Sequence, residues 1–230
     1  MGIMKREQHK ARIKRKVLQA AKASFFEKGY ARTPITEIMK KAGVANGTLY
    51  HFFKNKEDIL LHLTREMFDM TIRVADGISK DTRNPWVNVY IETAMQFSLV
   101  LYHPHIAEMY LIAHESGLIS AEITKRIHDR HAFLFQRVFK DIGDDALYTR
   151  TLAVKGLIHS FIQVAVHAEN KPDPALAFPA LEVMLTLLQI PENMRDETLS
   201  KARDLLRHHP GQFIGLVPDS GHAMPNRPIV

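Results

Sequence analysis

Three features of this 230-residue chain predict an all-α fold. Apolar residues recur at three- and four-residue spacing through almost every segment from Ile13 to His208. No segment shows the strict alternation of a half-buried strand. Gly and Pro fall mostly between the periodic stretches, where they start or stop helices. The pattern predicts about nine to ten helices, grouped as a small N-terminal three-helix unit and a larger helical C-terminal region.

Taken in order, the first helix is expected from about Ile13 to Lys28, burying Ile13, Val17, Ala20, Ala21, Ser24 and Phe25, with Gly29 ending it. Thr33 is the expected N-cap of a second helix, with Pro34 just inside it, where a missing N–H costs nothing. Ile35, Ile38, Met39 and Ala42 give that helix one apolar face, and Gly43 suits the left-handed residue that ends it and turns the chain. A short third helix runs from Asn46 through Phe52, with Leu49 and Phe52 inward. Asn55 is the expected cap of a long fourth helix, with Asp58 as its reciprocal partner. That helix continues through Leu60, Leu63, Met67 and Ile72 to near Ile78 and links the two halves of the chain.

After a break at Lys80–Pro85, residues 86–102 read as a largely buried helix. His103-Pro104 starts another that Gly117 ends, and Ser120 opens one running to Ile142. Residues 145–169 form a long helix with Leu152, Leu157, Phe161, Val164 and Ala165 among its buried candidates. A loop at 170–174 precedes a helix to Leu188, and Arg195 to His208 completes the helical part. The Pro- and Gly-rich stretch 210–230 lacks a helical period and is expected to be a loosely held tail.

Two short helices joined by a Gly turn have the layout of a helix-turn-helix, whose second helix enters a DNA major groove; purely structural αα-hairpins share it. Charge favours the first reading. Residues 1–60 hold 14 Lys and Arg against 5 Asp and Glu, a net of +9, whereas the other 170 residues hold 17 against 20, a net of −3. The basic excess sits where a polyanion would dock. Lys5, Arg6, Lys10, Arg12, Lys14, Arg15 and Lys16 form a basic arm suited to phosphates. On the third helix Asn46, Thr48, Tyr50 and His51 are outward hydrogen-bonders, and Gly47 permits close backbone approach. Lys54 and Lys56 flank a helix start suited to a phosphate. Thr33, Asn46, Gly47, Thr48, Tyr50, His51, Lys54 and Lys56 are therefore the candidate DNA contacts.

The run AGVANGTLYHFFKNKEDIL, extended back through FFEKGYARTPITEI, resembles the signature of the tetracycline-repressor (TetR) family of bacterial transcriptional regulators. The resemblance covers residues 10–62. It departs at Ala45, where family members often carry a Ser that caps the recognition helix and touches phosphate. It implies residues 1–60 as a DNA-binding domain, residues 61–209 as an effector-binding and dimerisation domain, and palindromic operator DNA as partner. It also implies a small-molecule pocket among the middle helices, with Met95, Phe97, Met109, Tyr110, His114, Phe133, Phe161 and Gln163 as candidate lining and a mostly apolar effector.

The helices near 145–169 and 174–189 carry more apolar surface than one bundle face needs. Leu176, Phe178, Leu181, Met184, Leu185 and Leu188 go nearly round theirs. Simple burial explains this, as does a homodimer face, and the resemblance favours the dimer.

Other classes recede. With no cysteine there are no disulfides or thiol nucleophiles, and no nucleophile-elbow, phosphate-loop or dinucleotide motif appears, so no catalytic residues and no cofactor are expected. No apolar run nears the ~20 residues of a membrane span, and no signal peptide opens the chain, so no membrane partner and a cytoplasmic location are expected. The alternative function is a metal-sensing or metal-binding helical dimer that uses the histidine-rich C-terminal region. His128 and His131 lie at i, i+3, and His103, His105, His114, Glu115, His159 and His167 lie on neighbouring helices, but no sharp metal motif joins them.

Overall fold

A computed structural model describes residues 2–136, 138–139, 142–168 and 173–209. The expected tail at 210–230 and residues 170–172 of the expected loop lie outside the described residues. Among those described there is no strand, and the fold is all-α. The elements are α1 (Gly2–Lys28), α2 (Ile35–Ala42), α3 (Asn46–Phe52), α4 (Lys56–Ile78), α5 (Pro85–Tyr102), α6 (Pro104–Glu115), α7 (Gly117–Phe135), α8 (Asp144–His167), a 3₁₀ turn (Pro174–Leu176), α9 (Ala177–Leu187) and α10 (Glu192–His208).

Several boundaries differ from the sequence reading, each for a local reason. α1 starts at Gly2, so the basic stretch is helix rather than an irregular arm. Beyond Gly2 the stretch lacks Gly and Pro, and Glu7 accepts from Lys10 at 2.9 Å along one face. Pro34, not Thr33, is the N-cap of α2, and no side chain caps that end. Ser116 makes the corner expected of Gly117: its hydroxyl accepts from Ile119 N and donates to Glu57 Oε1 at 2.6 Å. α7 therefore begins at Gly117 rather than Ser120 and ends at Phe135, short of Ile142. Pro179 lies in the first turn of α9, where a missing N–H breaks no helical bond.

Two apolar clusters hold the helices together. The larger centres on α5, whose Trp86, Tyr90, Ile91, Met95 and Phe97 are fully buried among α4, α6, α8, α9 and α10. Asn84 caps α5 by accepting from Trp86 N, and its amide donates to Thr198 Oγ1 of α10 at 2.8 Å. The smaller cluster gathers Val17, Phe25, Ile38, Leu49, Phe53, Ile59 and Leu60 with Met109, Ala113, Ile119, Ile123 and Ile127. Apolar contact thus runs without a gap from the N-terminal helices into α6 and α7. A unit as small as α1–α3 buries little surface by itself, and this contact supplies the rest.

Candidate nucleic-acid interface and effector cavity

The turn between α2 and α3 is built as its residues dictate. Gly43 is left-handed at φ 64 and ψ 41, and the N–H groups of Gly43 and Val44 return to the carbonyls of Lys40 and Met39. α3 is then fixed from within by Leu49, which is fully buried. Phe53, rather than the expected Phe52, is the second fully buried anchor; Phe52 is half-buried. The helix ends at Phe52 as expected, and extended backbone at Phe53 turns that ring, rather than the one before it, into the core.

Asn46, Gly47, Tyr50 and His51 are exposed and Thr48 is half-buried. A Cβ added at Gly47 would meet nothing within 4 Å, so the protein's own packing does not call for glycine there. His51 packs edge-on against Phe52, with ring centroids 5.0 Å apart. Ala45 starts the helix with no side-chain cap, and Asn46 does not replace one. Asn55 accepts from Asp58 N at 2.8 Å, while Asp58 accepts from Lys54 N at 3.0 Å, so the capping pair is reciprocal one residue further back than expected. Lys54 is exposed beside this helix start, and Arg12, Arg15 and Lys16 are exposed on α1.

Two of the candidate contacts face inward. Thr33 is fully buried, and its hydroxyl donates to the carbonyls of Gly29 at 2.8 Å and Ser24 at 3.3 Å. Lys56 turns back onto the link between α1 and α2. Its ammonium donates to Tyr30 O at 2.9 Å and Thr33 O at 3.1 Å and lies 4.2 Å from the Tyr30 ring centroid. Burial lowers the Lys56 pKa, with Glu108 pulling the other way. Both residues shape the interface from behind. Sequence spacing places a lysine at the helix start but does not show that two carbonyls wait beneath it.

A second site lies between α4, α6 and α7. Leu60, Thr64, Met67, Phe68, Met109, Tyr110, Ala113, His114 and Ile123 line a mostly apolar cavity. Its free volume of about 20 Å³ is room for one water. Of the eight expected lining residues, the structure brings together Met109, Tyr110 and His114. Met95 and Phe97 are buried in the main core, where Phe97 stacks on Phe161 at 3.9 Å. Phe133 is 63% exposed, and Gln163 points outward from α8. Helical periodicity shows which face of a helix is apolar, not which neighbour covers it.

The sequence reading missed a polar recess lined by Glu92, Arg130, His131, Gln96 and Thr93. Arg130 donates to Glu92 at 2.8 Å through Nε and to Asp76 through Nη2 at 2.5 Å. Burial pushes Glu92 up to about 7 against the pull of the guanidinium. The signal was present: Glu92 is the one acidic residue in an otherwise uncharged helix.

The histidines disperse. His128 meets Asp144 at 3.0 Å, whereas His131 is buried against the Thr151 hydroxyl at 3.1 Å. Burial lowers His131 to about 4 and His114 to about 3. Among the described residues no three His, Cys, Asp or Glu side chains are grouped to hold a metal, so the metal-sensing alternative has no ligand set there.

α8 and α9 leave apolar side chains uncovered. Leu152 and Val164, expected to be buried, are 44% and 54% exposed, while Leu147, Val154, Ile158 and Ile162 form the inner face of α8. Leu176 and Val183 are exposed on the neighbouring 3₁₀ turn and α9, whose Leu181, Met184 and Leu185 face inward.

Residues 17–63 match the family described as bacterial regulatory proteins, tetR family. The chain is 34% identical over 84 residues to the fatty acid metabolism regulator protein of Bacillus subtilis (strain 168), covering 36% of this chain and 43% of that protein. It is 35% identical over 69 residues to the HTH-type transcriptional repressor KstR2 of Mycobacterium tuberculosis (strain ATCC 25618 / H37Rv), covering 30% of this chain and 34% of that one. The chain thus spans less than half the length of these relatives. SmeT, the repressor of the Stenotrophomonas maltophilia multidrug efflux pump SmeDEF, shares the fold with a TM-score of 0.52 at 21% identity, over 75% of this chain and 88% of SmeT. A Mesorhizobium loti MAFF303099 protein assigned to the TetR-family regulators does so with a TM-score of 0.54 at 22% identity, over 77% and 97%.

Proposed function

We propose that the chain, whose residues 17–63 match the bacterial regulatory proteins of the tetR family, is a homodimeric, ligand-responsive transcriptional repressor. It acts by binding rather than by catalysis, in the cytoplasm, on palindromic operator DNA. The observation that carries this reading is the outward face of α3. Asn46, Gly47, Tyr50 and His51 stand exposed on a helix locked from below by Leu49 and Phe53, with Lys54 beside it.

In this reading residues 1–60 read DNA, and residues 61–209 bind the effector and dimerise. The uncovered apolar side chains of α8 and α9 are the face on which a second copy docks, two helices from each protomer. The cavity between α4, α6 and α7 takes a mostly apolar effector, which favours a state whose two recognition helices no longer match the groove spacing.

The test is a gel-shift titration with DNA from upstream of the protein's own coding region, repeated over a range of salt. Saturable binding that weakens steeply with salt and survives excess unrelated DNA is expected. Binding that unrelated DNA abolishes at every salt concentration removes the operator reading.

A further inference from the structure

The cavity between α4, α6 and α7 is mostly apolar, with Thr64, Tyr110 and His114 as its polar side chains. His114 lines it and is 7% exposed, yet its Nδ1 is buried with no hydrogen-bond partner among the described residues. Its ring stacks on His159 of α8, with centroids 5.6 Å apart and planes within 18°, and His159 Nε2 is likewise buried and unpartnered. Buried polar atoms are almost always satisfied, so two orphan imidazole nitrogens on stacked rings, one of which lines a lipophilic recess, need an account. Each neutral imidazole can place its single N–H on the unpartnered nitrogen.

The charge around the pair is one-sided. Lys155 lies one turn before His159 on α8 and donates to Ser120 Oγ at 2.5 Å. Burial is the main reason that a proton on His114 is disfavoured, and His159 and Lys155 add to it. An uncharged ligand group would satisfy the nitrogen, whereas an anion would also answer the potential. Met67 and Met109 also line the cavity; both are unbranched and adjust easily to a guest larger than the closed cavity.

We propose that the effector is an apolar carboxylic acid, with its chain among Met67, Phe68 and Met109 and its carboxylate accepting a hydrogen bond from His114, with His159 and Lys155 behind. This deepens the effector-binding reading above and rests on it. His114 touches the ligand; His159 positions and polarises it.

Calorimetry on the full chain with decanoate, methyl decanoate and decan-1-ol tests this. Decanoate is expected to bind at least tenfold more tightly than either neutral probe. In His114→Phe that preference should vanish while affinity for methyl decanoate changes less than threefold, which also reports that the variant is folded. His114→Gln, which keeps a donor, should retain part of the preference. Equal affinity for acid and alcohol, no binding of any probe, or a preference that survives in both His114→Phe and His159→Phe overturns the proposal. Salt-dependent DNA binding by the same preparation separates the two readings. DNA binding without a carboxylate preference sinks this inference alone, and a carboxylate preference without DNA binding sinks the regulatory role and leaves the acid site standing.

Discussion

Lys56 Nζ donates to the carbonyl of Tyr30 at 2.9 Å while lying over the ring of the same residue at 4.2 Å. A charge at the start of α4 is thereby committed to holding the α1–α2 link, and its exposed neighbour Lys54 is left to face outward. The two lysines should respond differently to removal. Lys56→Ala is expected to lower unfolding stability by about 1.5–3 kcal/mol, the usual range for a charged hydrogen bond. Lys54→Ala should leave stability nearly unchanged while reducing the salt slope of DNA binding by about 1. Urea denaturation and salt-titrated binding on both variants check this; a reversed pattern would return the phosphate role to Lys56.

His51 sits on the outward face of α3 with its ring braced by Phe52. His51→Ala is expected to relax base preference at one position of each half-site by about 1–3 kcal/mol while leaving the other positions as they were. A binding-site selection with the variant reads this directly. An unchanged preference at every position would mean that His51 does not read bases.

Leu152 and Val183 are exposed in the single chain at 44% and 48%. Leu152→Arg and Val183→Arg should therefore leave the fold intact by circular dichroism but shift sedimentation from dimer to monomer. Operator affinity should fall about a hundredfold as the second half-site is lost. Variants that remain dimeric would place the protomer contact elsewhere.

His131 has 3% of its surface exposed, and burial holds its pKa near 4, beside His128 and Arg130. A depressed histidine pKa means that the folded state resists protonation more than the unfolded chain. Its contribution is thus fully present above the unfolded value of about 6.5 and is lost as pH falls towards 4. The loss is on the order of 1.4 kcal/mol per pH unit within that window. Between about pH 7 and pH 5, wild type should lose about 1–2 kcal/mol more stability than His131→Gln, whose amide can still meet Thr151. Urea midpoints at the two pH values measure the difference; equal losses would show that His131 charges freely in the fold.

Much of the reading module was legible because its residues act locally. Gly43, Leu49 and Asn55 fix their own stretch of backbone, and each takes the place expected of it. The residues misjudged depend on distant partners. Thr33 faces inward because the carbonyls of Ser24 and Gly29 are there to receive its hydroxyl. Phe133 is exposed and Met95 is buried in the core, although both sit in helices with an apolar stripe. His128 and His131 share a helix face in sequence terms yet serve Asp144 and Thr151 separately. The Arg130–Glu92–Asp76 network joins α7, α5 and α4 and has no local signature apart from a lone acid in an uncharged helix.

Gly29 has φ +88, and a Cβ there would strike Glu108 Oε2 of α6. Gly29→Ala is expected to cost about 1–3 kcal/mol from backbone strain, before counting the displaced carboxylate. Thermal unfolding of this variant beside Glu108→Ala separates the two effects: strain remains when the carboxylate is gone. An unaltered melting temperature in Gly29→Ala would show that the link has room to relax.

Glu108 also accepts from Ala31 N at 3.0 Å, and the next residue on α6, Met109, lines the cavity. One turn of helix therefore has the cavity on one side and the exit of α1 on the other. A helix moves as a rod, so any guest that lifts Met109 also drags the tether at Ala31. The helix-turn-helix and the cavity are hung from the same peg.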